Sequence, residues 1–115
     1  MGDISEHFSR WEFKCPDCDF DVVDKELLQV LEWVRIRFGK RVTINSACRC
    51  EKHNKKVGGS PKSQHLFGKA ADIVVEDVIP LEVYDFLATA YFDCYGIGNY
   101  PDFTHIDVRR ARARW

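Results

Sequence analysis

The spacing of apolar residues along the chain predicts two helices. Over Lys25–Phe38 apolar residues recur at close to the helical period, with a suitable N-cap in Asp24 and a suitable left-handed stop in Gly39. A second helix is predicted over Pro80–Ala90, because proline favours the first turn of a helix. We interpret the apolar stripe of the first helix as core packing.

Alternating apolar and polar residues predict the strands of a small sheet, at residues 41–45, 72–75, 95–100 and 104–108. Residues 51–64 are rich in Lys, Asn, Gly, Ser and Pro and are predicted to form a loop. Near the N-terminus, Ser9 and Glu12 have the spacing of a capping box at a short helical turn. Helices and strands are mixed along the chain. We therefore predict an α+β fold, a single small domain over residues 1–115 with a mostly antiparallel sheet flanked by helices.

Two of these strands carry polar side chains that could share one face of the sheet. Side chains alternate between faces along a strand, so Asp72 and His105 each point away from their apolar neighbours. These neighbours are Ile73, Val75, Ile106 and Val108. If the two strands pair as antiparallel neighbours, Asp72 and His105 could lie opposite each other, with their Cβ atoms ~4.5–5.5 Å apart, a separation that one metal ion can bridge. We therefore expect each strand to bury an apolar face and to show a polar face, which in the second strand also carries Asp107 and Arg109.

A third ligand is available from His65, in the loop that leads into the Asp72 strand. Two imidazoles and one carboxylate suit zinc and leave a fourth position for water, whose pKa zinc lowers to roughly 7. Two neutral histidines and one aspartate would also leave a residual positive charge that can polarise a carbonyl group. The sequence offers His7 and His53 as well, so spacing alone does not select the ligands, and each of these residues could instead be structural.

The five cysteines form two close pairs, Cys15/Cys18 and Cys48/Cys50, with Cys94 alone. An odd number of cysteines without a secretory signal argues against a disulfide framework. The two pairs could bind a second, structural zinc ion. They could equally be redox-linked or simply packed.

The composition fits a soluble globular chain and argues against several partners. Of 115 residues, 45% are hydrophobic and 30% charged, and the apolar runs are far too short for membrane insertion. The net charge of −1 argues against nucleic-acid binding over the whole surface. The exception is the basic segment Arg109–Trp115, which we predict to be a solvated tail, or else a contact for an anionic polymer. The first residues do not form a secretory signal, so synthesis in the cytoplasm is expected.

Several ordered motifs together resemble one known family. The motif Ser63-x-His65-x-x-Gly68-x-Ala70-x-Asp72, followed at a distance by His105-Ile106-Asp107, resembles the D-alanyl-D-alanine carboxypeptidase and hedgehog-type zinc peptidases. The N-terminal Ser9–Cys15 segment and the closing Gly96–Tyr100 and Arg114–Trp115 segments are similar to compact phage-type members, the endolysins. The resemblance covers nearly the whole chain. It implies zinc as the cofactor, His65, Asp72 and His105 as its ligands, and peptidoglycan peptides as the substrate class.

The same resemblance implies roles for three further residues. Asp102, three positions before His105, would be the general base, and it must lie in the loop after Pro101, because three steps along a regular strand would put it on the opposite face. Arg49 would steady the oxyanion or hold a substrate carboxylate, and Ser63 would hydrogen-bond the peptide. The alternatives are a turn aspartate, a surface salt bridge and a loop-capping serine.

We therefore predict a zinc-dependent metallopeptidase that hydrolyses amide bonds in peptidoglycan, either as a D-Ala-D-Ala carboxypeptidase or as a stem-peptide endopeptidase. We expect a monomer that acts on the cell wall after release from the cytoplasm. One alternative is a non-catalytic, hedgehog-like zinc-binding module. Another is a thiolate-zinc interaction module built on the two cysteine pairs.

Overall fold

Helix α1 spans Lys25–Phe38 and has the ends that the sequence predicts. The computed structural model describes residues 5–13, 23–47 and 68–115. The Asp24 carboxylate accepts a hydrogen bond from the Glu26 N–H at 2.8 Å, which satisfies one of the free donors at the helix start. Gly39 ends the helix at φ 61°, a left-handed conformation that glycine adopts without steric cost.

Helix α2 spans Pro80–Ala90, as predicted, and is joined to the sheet at its first residue. The buried Thr104 hydroxyl donates a hydrogen bond to the Pro80 carbonyl at 3.0 Å. Neither helix in the described part of the chain is long and apolar enough to cross a membrane.

The described residues form a five-stranded sheet in the order β1-β2-β4-β3-β5. The strands are β1 Val42–Ser46, β2 Ala70–Val75, β3 Gly96–Asn99, β4 Thr104–Asp107 and β5 Ala113–Arg114. Every pairing is antiparallel except that of β3 with β5. The predicted α+β fold with a mostly antiparallel sheet is therefore confirmed.

The core lies between the two helices and the apolar face of the sheet. The stripe of α1 predicted to be core packing is buried, and it meets isoleucine and valine side chains of β2, β3 and β4. The main members of this core are Leu27, Val30, Leu31 and Val34 of α1, Val83 and Leu87 of α2, and Ile73, Val75, Ile97 and Ile106 of the sheet. With one face of the sheet filled in this way, Asp72 of β2 and His105 and Asp107 of β4 lie together on the other face.

The N-terminal segment forms the short helical turn that the sequence predicts. Arg10–Phe13 is a 3₁₀ turn, and the Ser9 N–H donates to the Glu12 carboxylate at 2.7 Å, which is the glutamate half of a capping box. Phe8 and Phe13 are buried in edge-to-face contact, with ring centroids 6.1 Å apart. These two rings anchor the segment to the core.

The prediction that Arg109–Trp115 is a solvated tail is wrong. Residues 113 and 114 form β5, which pairs in parallel with β3. The Arg114 guanidinium donates to backbone carbonyls that follow α2, those of Tyr91, Cys94 and Tyr95. These carbonyls belong to the C-cap residue of α2 and to the turn after it, and α2 has no basic residue in its last turn, so Arg114 supplies donors from another part of the chain.

Candidate active site

The pairing of β2 with β4 puts Asp72 directly opposite His105. This is the antiparallel arrangement in which the two residues were expected to lie opposite each other. Asp72 Oδ1 and His105 Nδ1 are 2.8 Å apart, and both residues are only 8% exposed. A carboxylate oxygen and an imidazole nitrogen thus meet on the polar face of the sheet.

The second ring nitrogen of His105 is held by Asp107. His105 Nε2 lies 2.8 Å from Asp107 Oδ2. Asp107 is completely buried, and its carboxylate accepts two hydrogen bonds of 2.7 Å from the Arg109 guanidinium. The order Asp72, His105, Asp107, Arg109 is therefore a continuous row of hydrogen-bonded side chains. Asp107 was not among the predicted site residues, although its alternation with Ile106 had already put it on the same face as His105.

The row shifts the pKa values of its central members in opposite directions. Burial alone would lower the pKa of His105, but the hydrogen bonds to Asp107 and Asp72 outweigh it and raise that pKa above its ordinary value. Burial alone would raise the pKa of Asp107, but the bonds from His105 and Arg109 bring it down to about 2. Asp107 is therefore ionised throughout the physiological range and remains an acceptor for His105.

Asp72 and His105 could supply two of the ligands of a zinc ion. A histidine that binds a metal through one nitrogen usually donates its other N–H to a carboxylate, which fixes the ring and its tautomer. Asp107 provides that carboxylate on Nε2, which leaves Nδ1, beside the Asp72 oxygen, as the nitrogen for a metal. The described residues contain no group of three or more His, Cys, Asp and Glu side chains able to hold a metal, and the predicted third ligand, His65, lies outside them.

Two glycines of β3 leave the space that the polar face needs. A Cβ atom on Gly96 would lie 2.5 Å from Asp107 Oδ2, and one on Gly98 would lie 2.6 Å from the indole Nε1 of Trp115. Gly96 pairs with Asp107 and Gly98 with His105 across the β3–β4 ladder. Side chains at these two positions would displace the residues that support the His105 ring.

The polar face of the sheet is covered by other side chains. The prediction that β2 and β4 show this face at the surface is therefore wrong. Trp115 lies against the His105 ring with the ring centroids 5.1 Å apart, and the Arg109 guanidinium lies over the Trp115 ring at 5.3 Å. The alternating pattern of β4 could not show this, because the covering residues come from the segment expected to be a tail.

The two alanines of β2, Ala70 and Ala71, lie on opposite faces of the sheet. Ala70 pairs with Asp107 and lies on the polar face, where a larger side chain would crowd the row. Ala71 points into the apolar core. Of the two alanines, only Ala70 therefore lies on the face that carries Asp72 and His105.

Asp102 lies in the turn between β3 and β4, as expected, and is exposed. The turn is closed by a hydrogen bond of 3.2 Å from the Tyr100 N–H to the Phe103 carbonyl. The other predicted residues, Arg49 and Ser63, lie outside the described residues, as do the cysteines at 15, 18, 48 and 50. Of the other two histidines, His7 contacts Glu32 of α1, with Nδ1 and Oε1 2.6 Å apart, and residue 53 is outside the described part.

Comparison with known proteins agrees with the motifs. The sequence model of the family Peptidase M15 matches residues 6–107, a range that includes Asp72, Asp102, His105 and Asp107. No curated protein sequence matches the chain significantly. The family match covers most of the chain and confirms the resemblance to the D-alanyl-D-alanine carboxypeptidase type of zinc peptidase. The chain belongs to the peptidase M15 family of zinc peptidases, the family of the D-alanyl-D-alanine carboxypeptidases.

Proposed function

We propose that the protein is a zinc-dependent peptidase that hydrolyses an amide bond in peptidoglycan peptides, with His65, Asp72 and His105 as the zinc ligands. The observation that carries the proposal is the pairing of Asp72 with His105, whose other ring nitrogen is held by the buried Asp107. Family membership supports the peptidase activity and the substrate class. The proposed catalytic unit is one domain, residues 1–115, acting as a monomer.

Each residue has a defined task in this proposal. When bound, zinc would supply a positive charge that polarises the scissile carbonyl and acidifies an attacking water. Asp107 keeps a proton on His105 Nε2 and so keeps Nδ1 available as a ligand. Asp102 takes a proton from the attacking water and delivers it to the leaving amine.

The remaining predicted residues act on the substrate. Arg49 would stabilise the oxyanion that grows on the attacked carbonyl, or hold a substrate carboxylate. Ser63 would donate a hydrogen bond to the peptide. A carboxypeptidase needs recognition of a terminal carboxylate and an endopeptidase does not, so Arg49 is the residue at which the two activities would diverge. The phage endolysin type, with action on the cell wall after release, is part of the same proposal.

Products identify the bond that is cut. The zinc-loaded protein is incubated with purified peptidoglycan and, separately, with a synthetic stem pentapeptide ending in D-Ala-D-Ala, and new termini are identified by mass spectrometry. Release of a terminal D-alanine supports a carboxypeptidase, and new termini within the stem or the cross-bridge support an endopeptidase. Activity should disappear with a chelator and return with zinc. A protein that binds zinc tightly and cuts neither substrate would instead be the non-catalytic module.

A further inference from the structure

Trp115 contacts both the His105 ring and the turn that carries Asp102. Its backbone is fixed beside β3, because the Trp115 N–H donates to the Ile97 carbonyl at 3.2 Å and its carbonyl accepts from the Asn99 N–H at 2.7 Å. Its indole lies against the His105 ring, with the centroids 5.1 Å apart. Trp115 is still 44% exposed, so the ring lies at the surface of the site.

The indole also holds the β3–β4 turn. Trp115 Nε1 donates to the Tyr100 hydroxyl at 2.6 Å. The Tyr100 ring in turn stacks on Phe103, with the centroids 4.5 Å apart and the planes 12° from parallel. Tyr100 and Phe103 are the two ends of the turn, and only Pro101 and Asp102 lie between them. The three aromatic residues, Tyr100, Phe103 and Trp115, are called the aromatic clamp below.

The position of Asp102 therefore depends on the ends of its turn. Asp102 itself is exposed, whereas the two residues that flank the turn are joined by a backbone hydrogen bond and a ring stack. A general base must come within hydrogen-bond reach of the proton it removes, and a displacement of about 1 Å can cost about 100-fold in rate. A residue that fixes both the turn and His105 controls that distance.

We infer that Trp115 is a positioning residue, which sets the Asp102 turn relative to His105 through Tyr100 and Phe103. The inference rests on the proposed function, since it assumes that Asp102 is the base and His105 a ligand. Trp115 is itself held from two sides. Gly98 leaves the space for the indole, because a Cβ there would be 2.6 Å from Nε1, and the Arg109 guanidinium lies over the ring at 5.3 Å.

Kinetic coupling between the aromatic clamp and Asp102 tests the inference. Trp115→Ala and Tyr100→Phe are made in the parent protein and in an Asp102→Asn background. We expect Trp115→Ala to lower kcat by about 10- to 100-fold with little change in KM, and Tyr100→Phe, which keeps the stack and loses only the hydroxyl, to lower it less. In the Asp102→Asn background both substitutions should change kcat by less than about twofold, because residues that act through one group are not additive. Trp33→Ala, an exposed tryptophan on α1, is the matched control and should leave kcat unchanged.

Two measurements that do not depend on turnover accompany the kinetics. Amide hydrogen exchange at Tyr100, whose N–H closes the turn, should speed up in metal-free Trp115→Ala and Tyr100→Phe. Zinc affinity, measured by competition with a chelator, should stay within about threefold of the parent in Tyr100→Phe, because His105 keeps both carboxylates. A purely structural role for Trp115 would not produce faster exchange at Tyr100 together with an almost unchanged zinc affinity.

The results separate the inference from the proposed function. An active parent whose Trp115→Ala and Tyr100→Phe variants keep their kcat and their Tyr100 exchange rate overturns the inference alone. So does a loss that is equal in the two backgrounds, or one confined to KM, which would make the indole a substrate-contact surface. A zinc-loaded parent that cuts no peptide overturns the proposed function, and the inference with it.

Discussion

The His105 imidazole lies between two carboxylates that have different surroundings. Asp107 is completely buried and also accepts a hydrogen bond from Arg109. Asp72 is 8% exposed and contacts Nδ1, the ring nitrogen proposed to bind zinc. The charge on Asp107 would make the imidazole a stronger ligand, because it stabilises the proton on the opposite nitrogen. Asp107 would therefore influence the metal through the ring and without touching it.

Asp107→Asn should weaken zinc binding by about 10- to 100-fold, the usual effect of losing a carboxylate behind a metal-binding histidine. The asparagine keeps the size of the side chain, so the space beside Gly96 stays filled and the fold should persist. Chelator competition measures the affinity. Asp85→Asn, at an exposed position on α2, is the control and should bind zinc as the parent does. Equal affinities of the two variants would show that Asp107 has no influence on the ligand.

Asp102→Asn should keep its zinc and lose about 10²- to 10⁴-fold in kcat, the range for a general acid–base residue. The substitution removes the base and preserves the size of the side chain on an exposed turn. Zinc content and kcat are measured on the same preparation. Normal turnover in a fully metal-loaded variant would assign the base to another residue.

At the scale of elements, β3 is the strand on which the site is assembled. It pairs with β4, which carries His105, and with β5, which leads into Trp115. Its glycines face the polar side, and Ile97 between them is fully buried in the core. The alternation of glycine and isoleucine thus leaves one face of the strand without side chains, and the Arg109 and Trp115 side chains occupy that space.

Gly98→Ala should displace the Trp115 ring. The new Cβ would lie 2.6 Å from Nε1, closer than real contacts allow, so the indole or β5 must move. We expect a loss of about 1–3 kcal/mol in the free energy of unfolding and a fall in kcat. Thermal melting and peptide cleavage are the measurements.

Gly39→Ala is the matched control for that substitution. Gly39 has φ 61°, and no heavy atom lies within 4 Å of the position that a Cβ would take, so alanine there brings backbone strain of about 1 kcal/mol without a clash. It should lower Tm and leave kcat intact. If Gly98→Ala keeps the parent's kcat, the position of the indole does not matter to catalysis.

The N-terminal segment is joined to α1 by a charge-dependent contact. Glu32 accepts hydrogen bonds from the Ser5 hydroxyl and the His7 N–H. Burial alone would raise the pKa of Glu32, but the bonds from Ser5 and His7 outweigh it and lower that pKa below its ordinary value of 4.5. A carboxyl group with a lowered pKa stabilises the fold fully above its unfolded-state pKa, and this contribution disappears as the pH falls through the folded-state pKa.

Glu32→Gln should therefore destabilise the protein at pH 7 by about 1–2 kcal/mol and much less at low pH. Denaturant unfolding at a series of pH values from about 7 down to about 3 measures the difference between variant and parent. Glu82→Gln, an exposed position in the first turn of α2, is the control. A difference for Glu32→Gln that is constant with pH would show that the charge of Glu32 does not hold the segment.

At the scale of the whole molecule, the sequence predicted those features that one segment determines. The ends of α1 were predictable because Asp24 and Gly39 are local signals. The shared face of Asp72 and His105 followed from the alternation within each strand, but only on the condition that β2 and β4 pair, which the structure supplies. Strand β5 was not predictable, because two residues cannot show an alternation and the strand it pairs with is distant in sequence. The role of Asp107 and the covering of the polar face were also missed. Both depend on Arg109 and Trp115, which were interpreted as part of a tail.

Zinc should stabilise the whole fold, because its proposed ligands join β2 to β4. A ligand that binds only the folded state at about 100 times its Kd adds about 2.7 kcal/mol to the free energy of unfolding. For a domain of this size we expect Tm to rise by about 10 °C when zinc is added to metal-free protein. Asp72→Asn should lose most of this rise, since Asp72 contributes one of the two proposed ligands in the described residues.

The two cysteine pairs determine how the zinc-dependent rise in Tm is interpreted. If Cys15, Cys18, Cys48 and Cys50 share a structural zinc, metal analysis should find two ions per chain, falling to one in Cys15→Ser/Cys18→Ser, which should also melt earlier. That variant should keep part of the rise in Tm, because it leaves the proposed ligands Asp72 and His105 unchanged. One ion per chain, with an unchanged Tm in the double variant, would leave the thiols without a metal. In that case most of the rise in Tm should be lost in Asp72→Asn, and a rise that persists there in full would place the zinc elsewhere.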